Sequence, residues 1–155
     1  MSSNGGQINN LTGDGFLAHF AFDENLNDHA IRALNCAIGI RAAVEALNYD
    51  RHYARASTIS VGVGIHSGEV AGGYVGLTGM KPFLLIGDTI NVTARIENLT
   101  KEFSVDVLFS EATHSLIKGR FKSMIMANRK VKGVSKKLTT YWLTPGSKPY
   151  PIGKE

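Results

Sequence analysis

Apolar residues recur along this chain with two periods, and the period separates helices from strands. Between Asp28 and Leu47 they fall at Ala30, Ala33, Ala37, Ile40, Val44 and Leu47, the spacing of one helix face, and Asp28 stands where a carboxylate can cap the first turn. From Thr58 to Ile65 the period is two, with Ile59, Val61, Val63 and Ile65 on one face of a strand. The short apolar segment Phe16–Phe22 follows Gly13-Asp14-Gly15, which predicts a hairpin with Asp14 near its tip. A glycine-rich loop is predicted over Gly68–Gly79, then a short buried strand at Leu84–Ile86. Gly87-Asp88-Thr89 reads as a break and a helix cap, with the helix at Ile90–Glu102. Val105–Phe109 is a strand, and Ser110 caps a short helix that ends near Gly119. Phe121–Met126 and Leu138–Leu143 are predicted as antiparallel strands. Helices and strands mix without strict βαβ alternation, so the expected class is α+β.

Composition narrows this little. The 155 residues suit one domain with a substantial core, and 43% hydrophobic with 19% charged residues is ordinary globular protein. There is no internal repeat or interior linker, and Pro145 to Glu155 reads as a flexible polar tail. No apolar run approaches the ~20 residues that span a membrane. Met1-Ser2-Ser3-Asn4-Gly5-Gly6 lacks the regions of a signal peptide, so a cytoplasmic location is expected. The single cysteine, Cys36, cannot form an intrachain disulfide and reads as a small buried hydrophobe.

Charge is uneven. The net value is +4, and from Lys118 onward there are ten Lys/Arg against one acid, Glu155. A basic end suits an anionic partner or a solvated surface equally. It lacks the interleaved aromatics of a base-stacking platform, which argues against nucleic acid.

Asn91 and Arg95 lie four apart in a predicted helix, so they project from one face a turn apart. The guanidinium is a planar fork of donors suited to phosphate; taken alone, the pair reads as a solvated helix face. Asp14 could be a turn residue or a metal carboxylate, and Lys132 beside Gly133 could be a turn lysine. Asp88 reads better as a helix cap than as a metal ligand. Gly68–Gly79 holds no phosphate-cradling G-x-x-x-x-G-K-[ST] motif, and the five histidines show no metal-ligand spacing.

The order of motifs adds what the single residues lack. Leu85-Ile86-Gly87-Asp88-Thr89-Ile90-Asn91-Val92-Thr93-Ala94-Arg95-Ile96-Glu97 resembles the signature of class III adenylyl and guanylyl cyclases. Gly13-Asp14-Gly15-Phe16-Leu17-Ala18-His19-Phe20 resembles the hairpin that carries the family's second metal-binding Asp. Val61 to Val70 resembles its central strand and following turn, and Val131-Lys132-Gly133 with Thr140-Tyr141-Trp142-Leu143 its closing hairpin. The resemblance implies a ferredoxin-like cyclase fold, a mixed, mainly antiparallel sheet with helices, over residues 5–144. It implies conversion of ATP or GTP to the 3′,5′-cyclic nucleotide and pyrophosphate in intracellular signalling. Asn91 would orient the ribose, Arg95 would stabilise charge on the α-phosphate, and Lys132 would hold the β- and γ-phosphates. Asp14 would bind Mg²⁺ or Mn²⁺, which prefer hard oxygen ligands, and Gly68–Gly79 would carry a dimerisation arm. The implied partner is a second copy or another cyclase domain.

The resemblance also has gaps. The family's opening strand, with the first metal-binding Asp, and the two helices after it have no match here. The two-metal site is therefore expected to be incomplete and this chain alone inactive; the alternative is a non-catalytic nucleotide-binding or pairing module. The adenine-reading lysine falls at Asn10 and its partner at Leu84. Leucine cannot accept a hydrogen bond from an adenine amino group, so base choice does not carry over.

Overall fold

The computed structural model describes residues 4–20, 28–74, 83–126 and 138–152. Their order is β1 (Gly6–Thr12), β2 (Gly15–Phe20), α1 (His29–Tyr53), β3 (Val63–Ile65), β4 (Ala71–Tyr74), β5 (Phe83–Ile86), α2 (Asp88–Phe103), β6 (Val107–Ser110), α3 (Glu111–Ile117), β7 (Ser123–Ile125) and β8 (Thr140–Leu143). The α+β class expected from the pattern is the one observed. A four-stranded sheet runs β3-β6-β8-β7, with β3 parallel to β6 and the other pairs antiparallel. Two antiparallel hairpins, β1–β2 and β4–β5, stand apart from it as separate ladders.

The central strand β6 explains the layering. All four of its residues are buried. Val107 and Phe109 join Ala30, Ile31, Leu34 and Ala37 of α1, with Ile117, Phe121 and Leu143. Leu108, on the opposite face, joins Val92, Ile96 and Leu99 of α2. A strand covered on both faces needs a continuous apolar run rather than alternation. The helices α1 and α2 therefore lie on opposite sides of the sheet. On β3, Val63 and Ile65 pack with the α1 cluster, while Gly62 and Gly64 turn toward α2.

Helix α1 runs six residues past the Leu47 end read from sequence, to Tyr53. Its second half packs little: Leu47, Tyr49 and Tyr53 are exposed, so no apolar stripe marks that stretch. Conversely, β3 is shorter than Thr58–Ile65, since its ladder starts only at Val63, opposite Val107. Ile59 is held instead by Asn48, whose amide donates to its carbonyl at 2.7 Å and accepts from its N–H at 2.7 Å. The Gly68–Gly79 loop is partly a strand, for Ala71–Tyr74 pairs with Phe83–Ile86. Gly72 and Gly73 offer no side-chain alternation, so only backbone pairing and the Tyr74–Phe83 ring contact at 5.1 Å reveal it. Strand β5 is not buried as expected: Leu84 is 42% and Ile86 64% exposed.

Capping divides likewise. The Ser110 hydroxyl accepts from Thr113 N–H at 3.2 Å, and α3 closes with Lys118 and Gly119 left-handed. Neither Asp28 nor Asp88 makes a side-chain cap. The Asp28 carboxylate takes Arg32 Nε at 2.8 Å instead. Asp88 lies inside the first turn of α2, where it complements the helix dipole. Cys36 is buried, as expected. From the stretch read as a loose tail, Tyr150 docks on α1: its N–H and C=O bond the Asn35 amide at 2.8 Å each, with Arg120 over its ring.

A half-buried ion pair locks the sheet's lower end. Arg41 of α1 grips both oxygens of Asp106 and donates to the Leu143 carbonyl at 2.6 Å. Trp142 Nε1 donates to the same carboxylate at 3.1 Å. Burial would raise the Asp106 pKa, but the bonds from Arg41 and Trp142 and the Arg41 charge together hold it below the ordinary carboxylate value.

Candidate functional site

Helix α2 is placed by glycines. A Cβ on Gly64 would lie 2.7 Å from Thr93 O and 2.8 Å from Glu97 Cα, and one on Gly62 would strike the Thr100 hydroxyl. The helix backbone thus rests directly on β3. With Val92, Ile96 and Leu99 inward, the remaining face carries Asn91 and Arg95 one turn apart. Asn91 is exposed and Arg95 half-buried. Arg95 Nη1 is buried without a hydrogen-bond partner among the described residues. A buried guanidinium nitrogen lacking an acceptor is costly unless an anion supplies one.

The helix N-terminus is fixed by the loop that follows β3. Thr89 Oγ1 donates to Glu69 O at 2.6 Å, and Thr93 Oγ1 donates to Thr89 O at 2.8 Å. Gly87 joins β5 to α2 at φ +154°, where a Cβ would lie 3.2 Å from Glu69 O. A side chain there would be strained.

Asn10 and Leu84 come to neighbouring strands. Strand β1 carries a β-bulge in its pairing with β2: Ile8 faces Ala18 and Asn10 faces Leu17, leaving Asn9 as the extra residue. Asn9 Nδ2 donates to Phe83 O at 2.8 Å and so ties β1 to β5. Asn10, like Leu84, is exposed. The clamp is Asn9, which the motif reading passed over. The asparagine doublet was a signal, since asparagine is depleted in regular strands.

Asp14 is exposed in a two-residue turn, with Gly13 at φ +60° in the first position of a type II′ hairpin. No group of three His, Cys, Asp or Glu that could hold a metal occurs among the described residues. One carboxylate does not make a divalent-cation site, so the described residues do not supply a complete one. Lys132 lies outside the described residues, as does the arm beyond Tyr74. The geometry thus sets Asn91 and Arg95 one turn apart on α2, and the Asn9–Phe83 bond ties together the strands that bear Asn10 and Leu84; β5 leads through Gly87 into α2.

Among the described residues no helix is long and apolar enough to cross a membrane. The family model of the adenylate and guanylate cyclase catalytic domain matches residues 6–145. The chain is 38% identical to an adenylate cyclase of Anabaena cylindrica over 112 residues, 70% of this chain and 21% of that protein. It is 35% identical to guanylate cyclase D of Mus musculus over 122 residues, 77% of this chain and 10% of that one. It therefore spans about a fifth or less of these curated relatives. The guanylate cyclase domain of RhGC from Catenaria anguillulae, solved in complex with GTP, aligns with TM-score 0.74 and 28% identity over 92% of this chain and 74% of that one. The adenylyl cyclase CyaB from P. aeruginosa shares the fold at TM-score 0.82 and 20% identity, over 97% of this chain and 77% of that one. Fold, motif order and family match agree, and the chain belongs to the adenylate and guanylate cyclase catalytic domain family.

Proposed function

We propose that this chain is the substrate-contacting part of a nucleotide cyclase, acting on ATP or GTP to give the 3′,5′-cyclic nucleotide and pyrophosphate. The observation that carries the reading is Arg95, one turn from Asn91, whose Nη1 is buried and has no hydrogen-bond partner among the described residues. In-line attack of the ribose 3′-hydroxyl moves negative charge onto the leaving pyrophosphate. Arg95 neutralises charge at the α-phosphate, and the Asn91 amide holds the ribose. Lys132 takes the β- and γ-phosphates. Asp14 contributes one carboxylate toward Mg²⁺ or Mn²⁺, which when bound screens the triphosphate.

The purine lies near Asn10 and Leu84. An exposed leucine can pack against a base but cannot read its amino or carbonyl edge. We therefore expect weak discrimination between ATP and GTP. A cytoplasmic location suits both substrates.

Among the described residues Asp14 stands without the further ligands that a metal needs. The 155 residues alone are proposed to bind nucleotide without appreciable turnover. Exposed Leu11, Phe16, Tyr74 and Ile86 on the two hairpins favour pairing with a second copy or another cyclase domain. A pairing module without catalysis is the second reading, favoured by the same residues.

The test is titration with mant-ATP and mant-GTP in the presence of Mn²⁺, alongside product analysis. Binding weakened about tenfold or more by Arg95→Ala supports the reading, as loss of one charged hydrogen bond predicts. Absence of binding overturns it in favour of the pairing module. Robust cyclic nucleotide formation, lost in Asp14→Ala, overturns the proposed inactivity.

A further inference from the structure

His66 is the first residue after β3, and its ring belongs to a network that the cyclase signature does not explain. Its Nδ1 lies 2.8 Å from the Ser110 hydroxyl. Ser110 is buried at the head of α3, where it also accepts from Thr113 N–H. The fully buried Thr113 hydroxyl lies 3.2 Å from Ser110 Oγ and 3.1 Å from Ser67 Oγ. Two successive residues of the loop after β3 are therefore bonded to the first turn of α3.

The protons of this chain can be ordered. Ser110 Oγ has one hydrogen and two lone pairs. With His66 neutral and its hydrogen on Nε2, Ser110 donates to Nδ1 and accepts from both the N–H and the hydroxyl of Thr113. Ser67 then donates to Thr113, and each of these three hydroxyls has a partner. Burial keeps the imidazole pKa below its ordinary value, against the opposing pull of the Asp88 carboxylate.

The other side of the same loop meets α2. A Cβ on Gly68 would lie 2.6 Å from Thr89 Oγ1 and 3.4 Å from His66 Nε2, so ring, loop and helix are in close contact. Glu69 O receives the Thr89 hydroxyl at 2.6 Å. Thr89 precedes Asn91 by two residues.

We propose that His66 is a positioning residue: anchored on the buried hydroxyls of α3, it fixes the 66–70 loop and, through Thr89, the first turn of α2 that carries Asn91 and Arg95. The inference rests on reading α2 as the nucleotide-contacting helix. His66 touches no substrate in this scheme; it sets where the contacting groups stand.

The experiment compares His66→Phe, which keeps an aromatic ring without Nδ1, with His66→Asn, whose amide can reach the Nδ1 position. In the 155-residue chain, hydrogen exchange should speed about tenfold or more in His66→Phe at residues 66–70 and 88–93, and not at β7 and β8. Mant-ATP and mant-GTP affinity should fall in parallel, and His66→Asn should restore both. Unchanged exchange over 88–93 in His66→Phe overturns the proposal. If His66→Phe does not fold, NMR of the unmodified ring decides: an Nε2–H tautomer supports the network, and an imidazole titrating like a free one overturns it. Asn91→Ala separates the two readings, since it should weaken nucleotide binding without altering exchange. If no form binds nucleotide, the cyclase reading falls while the exchange comparison still tests His66.

Discussion

Gly64→Ala should move the helix that carries Asn91 and Arg95. The added methyl would lie 2.7 Å from Thr93 O and 2.8 Å from Glu97 Cα, and against Glu97 N, where ordinary contact begins near 3.4 Å. All three are backbone atoms, so no side-chain rotation relieves the clash. Helix α2 must retreat by roughly 1 Å, loosening a close-packed interior. Overpacking of this kind costs about 1–3 kcal/mol. Because Val92, Ile96 and Leu99 would all lose contact with Leu108 and its neighbours, we expect the upper end, about 3 kcal/mol. For a chain of this size that lowers Tm by about 6–12 °C. The same retreat displaces the candidate phosphate contact, which should weaken mant-nucleotide binding about tenfold or more, as loss of one charged hydrogen bond predicts. Calorimetry measures the first effect and mant-nucleotide titration the second. Gly73→Ala, with no atom within 4 Å of its Cβ position, is the control. A Tm within about 1 °C of the parent for Gly64→Ala would refute the close approach.

Other outcomes follow from particular contacts. Gly39 lies inside α1 with open space around its Cβ position, so Gly39→Ala should stabilise by about 0.5–1 kcal/mol, read from urea unfolding. Asn35→Ala removes both bonds to Tyr150 and should cost about 1–2 kcal/mol while speeding proteolysis after Thr144; unchanged cleavage would show that Tyr150 is not docked. The folded pKa of Asp106 is depressed, so its stabilisation is fully present above the ordinary carboxylate value and fades as the pH falls below about 4. Arg41→Met should therefore be less stable than the parent at neutral pH, and the gap should narrow in acid; a gap that is constant down to low pH would contradict the pairing.

Much of the fold was legible because its core elements carry a single strong period. The first turns of α1 face the core through Ala30, Ile31, Leu34 and Ala37, whereas Leu47, the last residue of the stripe read from sequence, is exposed. Beyond Leu47 the helix meets little, and nothing in the pattern marks where it ends. β4 was hidden for another reason: glycine pairs through the backbone alone, and paired backbone leaves no trace in a hydropathy pattern. Asn91 and Arg95 were legible through spacing and motif together. Asn9 and the hydroxyl chain behind His66 were not, because each depends on residues distant in sequence meeting in space. Asn9 bonds across 74 positions, and His66 across 44. Spacing within a helix is local information, whereas such bonds exist only once the strands are placed.

The bulge at Asn9 has a consequence for insertions and deletions. Asn9 and Asn10 are identical neighbours, so loss of either codon gives the same protein. That shortened β1 would have one asparagine to serve two stations, the Phe83 carbonyl and the place opposite Leu17. The deletion would remove the extra residue, so Ile8 would stay opposite Ala18, the single asparagine would stand opposite Leu17, and the ladder would become regular. A one-codon deletion here would thus straighten β1 and, with its asparagine held opposite Leu17, take away the bond that ties β1 to β5. The two hairpins are therefore joined through a residue that exists only because β1 is one position longer than its partner requires.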